Sequence, residues 1–137
     1  EFLKKNNHSF DCTFTSLYLR SIQTAEIINK NWNRETIATY AFNEYFLRDD
    51  GTGVEGTSMG LARTMAKLYS VFDVYNNILL VGHSSINKTI LQALLNTEYD
   101  NADKYFNKLG EIHVLRYDWH LGDKRWNIID SFIPHQE

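Results

Sequence analysis

Arg20 and His83 are the residues of this chain whose types and placement could handle a phosphoryl group. Arg20 lies in Ser16-Leu-Tyr-Leu-Arg-Ser-Ile-Gln-Thr-Ala25 and His83 in Asn77-Ile-Leu-Leu-Val-Gly-His-Ser-Ser-Ile86. The two segments share a layout, in which a short apolar run that reads as a buried strand passes directly into a helix start. A helix N-terminus exposes unpaired N–H donors and the positive end of the helix dipole, so an anion placed there meets donors already aimed at it. Arg20 adds a forked cationic donor, and His83 adds a ring that exchanges protons near neutrality. In open α/β sheets such sites gather at the carboxyl ends of the strands, which is where both residues fall.

The elements that must position these residues alternate between strand and helix, the pattern of an α/β layered domain. Cys12 to Ser16 reads as a strand, and Ser21 to about Trp32 as a helix with Ile22, Ala25, Ile27 and Ile28 as its apolar stripe. Thr36 to Phe42 is the next strand. The loop from Asn43 to Thr57, carrying Asp49, Asp50, Gly51, Gly53 and Gly56, is long enough to be functional, and its two aspartates read as solvated carboxylates. Ser58 can cap a helix running to about Phe72, in which Leu61, Met65, Leu68 and Phe72 recur at helical spacing. A strand at Ile78 to Val81, a helix at Ile86 to Leu95 and a short helix at Asn101 to Leu109 stopped by Gly110 follow. The strands Ile112 to Tyr117 and Arg125 to Ser131 close the chain around a turn at Gly122.

Ser16 to Ala25 resembles the S-x-L-x-R-x-x-Q-T-A signature of the histidine phosphatase, or phosphoglycerate-mutase-like, superfamily. Ser16, Arg20, Gln23, Thr24 and Ala25 match, and Tyr18 stands where that family usually has Leu. Ile78 to Leu95 is similar to its second histidine block, and Glu111 to Phe132 to its closing strand pair. The resemblance implies a three-layer αβα sandwich with a mixed, mostly parallel sheet. It also implies phosphoryl transfer through a phosphohistidine, with Arg20, His83 and Ser84 holding the phosphoryl group and Glu44 as the general acid. Glu55, in Val54-Glu55-Gly56, is the alternative acid, because the loop here is longer than the common pattern.

The family's nucleophile is the histidine of an Arg-His-Gly motif, and none occurs here; His8, in Asn-Asn-His-Ser-Phe, has no strand before it. Glu1 to Asn6 reads as the tail of a helix, so the resemblance implies that the first strand and the nucleophile precede Glu1. The short Gly56 to Ser58 connection, without the insertion of cofactor-dependent mutases, favours a phosphatase. A phosphoglycerate mutase and a non-catalytic binding module that keeps the pocket are the alternatives.

Composition sets the remaining bounds. With 137 residues, 43% of them hydrophobic, the chain reads as one domain, residues 1–137, with a single core. A net charge of -3 without a basic stripe argues against a nucleic-acid partner and suits a small phosphorylated substrate; a homo-oligomer is left open. Cys12 is the only cysteine, which fits a reducing, cytoplasmic compartment, and no apolar run approaches the roughly 18 residues of a membrane span. Gly51-Thr-Gly-Val-Glu-Gly56 matches a dinucleotide-binding pattern in letters only, because no hydrophobic strand precedes it. The reading calls for no cofactor and no metal: His113, His120 and His135 lack ligand spacing, and protein cations meet the phosphate charge.

Overall fold

A computed structural model describes residues 2–45, 52–53, 55–97 and 99–133. They divide into two compact units, residues 1–86 and 87–137. Asp49, Asp50, Gly51, Val54 and His135 lie outside the described residues.

The first unit begins with a short helix, α1 (Phe2–Lys5), and is organised by β1 (Cys12–Thr15), whose four residues are all buried. β1 is flanked on one side by β2 (Glu35–Ala38) and on the other by β3 (Ile78–Val81), both parallel to it. Among the described residues no strand pairs with the other edge of β3. The alternating direction of strand side chains divides β1 between two faces. On one, Thr13 Oγ1 donates to Asn29 Oδ1 of α2 (Leu19–Asn29) at 2.8 Å, and Asn29 Nδ2 donates in turn to Thr36 Oγ1. The buried Asn29 amide thus ties α2, β1 and β2 together, and Ser21 and Ala25 bury on the same helical face. On the other, Phe14 meets Phe42 and Tyr75 edge-on, with ring centroids 6.2 and 5.8 Å away. Cys12, fully buried, shares this face, and its thiol is pushed up by burial. Asp11 aligns the strand starts, because its Oδ2 accepts from the backbone N–H groups of Asn76 and Asn77, each at 3.0 Å.

Several element boundaries differ from the sequence expectation. The strand expected to reach Phe42 stops at Ala38; Thr39 then accepts from Ala41 N through Oγ1 and opens a 3-10 helix, Tyr40–Phe42. α2 ends at Asn29 rather than Trp32, and Ile27 faces solvent at 74% exposure instead of joining the apolar stripe. The expected cap Ser58 lies inside α3 (Thr57–Phe72), with Gly56 at the N-cap. In α3, Gly60 is required by space: a Cβ there would fall on the Tyr45 ring, 2.9 Å from its Cζ. α4 (Ser84–Leu94) starts two residues earlier than expected, directly after His83.

In the second unit, the expected helix at Asn101 to Leu109 is only α5 (Tyr99–Ala102). Phe106 takes a positive φ of 58°, outside the range of a regular right-handed helix, and Gly110 follows at 76°. Lys88 of α4, largely buried, is matched by Asp103 Oδ1 at 2.9 Å and Asn107 Oδ1 at 2.7 Å. β4 (Ile112–Tyr117) and β5 (Trp126–Phe132) form a separate antiparallel pair. Its connection passes through Gly122 at φ 61°. The His113 ring bridges Ser131 Oγ and Glu111 Oε1, both at 2.7 Å. No helix among the described residues is long and apolar enough to cross a membrane.

Candidate active site

Register alone brings the two junctions together. Thr15 is the partner of Val81 in a parallel pair, so Ser16, one residue past the end of β1, and His83, two past the end of β3, emerge side by side. Ser16 is fully buried and His83 is 8% exposed, whereas Arg20, in the first turn of α2, is exposed.

The partners of His83 fix its proton. Arg20 Nη2 lies 3.3 Å from His83 Nδ1, and a guanidinium only donates, so Nδ1 is the acceptor. The ring proton then resides on Nε2, which donates to Ser16 Oγ at 2.7 Å, with Ser21 Oγ at 3.3 Å beside it. Ser16 Oγ also accepts from Tyr18 N at 3.3 Å, which occupies its second lone pair. The Tyr18 ring stands edge-on to the imidazole with centroids 5.0 Å apart, and Arg20 lies 4.8 Å over that same ring. Burial, and next the Arg20 charge, hold the His83 imidazolium below its ordinary value of 6.5, with Glu44 pulling the other way. His83 is therefore held toward its neutral form, between the opposing charges of Arg20 and Glu44.

Glu44 enters from β2. The chain leaves Ala38 at the same sheet edge and turns through the 3-10 helix, and Asn43 Oδ1 accepts from Leu17 N at 2.8 Å, pinning this segment to the β1–α2 junction. The Glu44 carboxylate then accepts from Ser85 N at 3.2 Å and from Ile86 N at 2.9 Å. These are the second and third residues of α4, whose amides an N-cap side chain ordinarily takes. His83 holds the cap position and its ring points to Ser16, so Glu44 caps α4 from another part of the chain. Ser84, the first residue of α4, is exposed beside His83.

Glu55 is placed differently. Arg63 of α3 grips it with two parallel bonds of 2.7 Å, Nε to Oε2 and Nη2 to Oε1, with both side chains largely buried. The structure therefore brings Arg20, His83 and Glu44 together at one sheet edge and commits Glu55 to an ion pair on α3. Ser21 and Arg63 escaped the sequence reading, because each is one polar residue inside a helix and only the inward turn of the helix reveals its partner. The spacing of Ser21 from Ala25, four residues along one face, was the available signal for the former.

No family model and no curated protein sequence matches the chain. Solved structures do match in fold. Alpha-ribazole phosphatase from Shigella flexneri is similar with a TM-score of 0.72 at 16% identity, over 90% of this chain and 73% of that one. Mycobacterial glucosyl-3-phosphoglycerate phosphatase, solved in complex with inorganic phosphate, is similar with a TM-score of 0.72 at 14% identity, over 87% and 75%. YhfR of Bacillus stearothermophilus is similar with a TM-score of 0.73 at 16% identity, over 94% and 77%. The chain shares the phosphoglycerate-mutase-like α/β fold of these structures.

Proposed function

We propose that this protein is a phosphatase of the histidine phosphatase superfamily that hydrolyses a small phosphomonoester through a phosphohistidine. The observation that carries the reading is the hydrogen-bonded cluster of Ser16, Arg20 and His83 at the carboxyl ends of two parallel strands, with the Glu44 carboxylate capping the helix that follows His83. The phosphatases among its structural neighbours support the reaction class.

In this reading the attacking imidazole belongs to an Arg-His-Gly strand outside residues 1–137, paired along the edge of β3 that no described strand occupies. Its nitrogen bonds to phosphorus as the ester P–O bond breaks, and Glu44 gives a proton to the departing alkoxide. Water then attacks phosphorus, Glu44 takes its proton, and the N–P bond breaks to release inorganic phosphate. Arg20 turns its exposed fork from His83 Nδ1 to the phosphoryl oxygens, and Ser84 adds a donor at the start of α4. The dianion opposes the burial and the Arg20 charge that keep His83 neutral, so the ring gains a proton at Nδ1 and donates to the charge that builds up in the transition state.

The test is turnover of phosphomonoesters by the full-length protein, together with trapping of an acid-labile phosphoenzyme. His83→Ala and Arg20→Ala are each expected to lower kcat by about two to three orders of magnitude, the cost of losing one oxyanion donor. Chelator leaves the rate unchanged. A phosphoenzyme that survives acid, or turnover insensitive to both substitutions, would remove the reading.

A further inference from the structure

The guanidinium of Arg63 is devoted to the segment that bears Glu44. Besides its paired bonds to Glu55, Nη1 donates to Ala41 O at 2.8 Å and to Tyr40 O at 3.4 Å, and Nη2 reaches Glu44 O at 3.4 Å. The Tyr40 ring lies 5.3 Å beneath it. One side chain of α3 thus joins the 3-10 helix and Glu44, at the start of the long loop, to Glu55 near its end. We propose that Arg63 is the positioning residue for the acid: it fixes the Glu44 backbone, so that the carboxylate lands on the α4 amides, and it never meets the substrate. The proposal rests on the phosphatase reading for its kinetic consequence but not for its structural one.

The geometry explains why arginine is needed. Four acceptors in different directions, three carbonyl oxygens and a carboxylate, match a planar fork with five N–H groups, and a lysine ammonium on a single stem cannot span them. Glu55 supplies the opposite charge that lets this fork stay largely buried. Gly60, one turn earlier on the same helix, leaves the room in which Tyr45 packs, so the α3 surface supports the segment on both sides of Glu44.

The experiment compares wild type, Arg63→Lys, Glu55→Gln and Glu44→Ala in the full-length protein. Hydrogen exchange is read at the Ser85 and Ile86 amides, and kcat and KM are measured on an alkyl phosphate and on p-nitrophenyl phosphate. Arg63→Lys is expected to bring both amides toward the exchange rate of Glu44→Ala while the later turns of α4 stay protected. It is also expected to lower kcat on the alkyl ester by about a hundredfold, the scale of a 1 Å misplacement. KM stays unchanged, and the aryl ester, whose leaving group needs no proton, is largely spared. Should Arg63→Lys fail to fold, Glu55→Gln gives the same pattern with smaller amplitude. Unchanged Ser85 and Ile86 amides, or equal losses on both esters, overturn the proposal. If wild type hydrolyses neither ester while the two amides still respond, the positioning role stands and the phosphatase reading falls.

Discussion

Arg20 and His83 hold each other, and the direction of their hydrogen bond decides where the ring proton sits. The expected outcome is an Nε2–H tautomer for His83, read from its 15N shifts, with Ser16→Ala loosening the preference because the 2.7 Å acceptor is lost. A predominant Nδ1–H form would contradict the arrangement. Because the native value lies below 6.5, the unfolded chain binds the His83 proton in the window between the two while the native state does not. This group's contribution therefore rises with pH through the window and is lost on acidification; urea midpoints should rise less steeply from pH 5 to 7 in His83→Gln than in wild type. At this scale Arg20 and His83 were legible in the sequence because strand–helix junctions announce themselves through apolar runs. Arg63 was not legible, since nothing local separates an arginine that bonds loop carbonyls from one that points to solvent.

Among the elements, α4 depends most on a distant residue. It has no local N-cap, and the Glu44 carboxylate supplies one. Glu44→Ala should accordingly cost about 1 kcal/mol of stability, the usual value of a cap, apart from any effect on chemistry. Thermal unfolding of the ligand-free protein measures it, and an unchanged midpoint would deny the capping role. Gly60 gives the opposite lesson. By helix propensity Gly60→Ala should gain up to about 1 kcal/mol, but the new methyl lands on the Tyr45 ring, and overpacking costs about 1–3 kcal/mol. Net destabilisation is expected, and exchange at Ser85 and Ile86 should rise as the Glu44 segment shifts. The sequence located every strand of the described chain, yet it carried β2 through Phe42, because Tyr-Ala-Phe has strand-like composition. Thr39 decides otherwise with one side-chain hydrogen bond.

For the molecule as a whole, the strand–helix alternation pointed to an α/β layered domain, because that order of elements has few packed solutions, and the mostly parallel sheet came from the resemblance of the two junction motifs. The pairing of β3 was less accessible. Its residues are half-buried where those of β1 are fully buried, and only one of its edges is paired among the described residues. An unpaired edge offers N–H and C=O groups to any strand that fits. If the proposed Arg-His-Gly strand occupies it, the β3 amides that point away from β1 exchange slowly in the full-length protein and quickly in residues 1–137 alone. Equal rates in the two would place that strand elsewhere.

The burial of Cys12 has a practical consequence for kinetics. A chain with one thiol, enclosed at the centre of its parallel sheet, carries its own reporter of opening, because a thiol reagent can reach the sulfur only when β1 is uncovered. At high reagent concentration the labelling rate becomes the opening rate, and at low concentration it scales with the open population. Phosphate bound at Arg20 and His83 should slow labelling in the low-reagent regime in proportion to site occupancy, so a colorimetric thiol assay becomes a binding measurement that requires no turnover. Labelling that ignores phosphate, in a protein that phosphate demonstrably stabilises to heat, would mean that β1 opens independently of the site at its end.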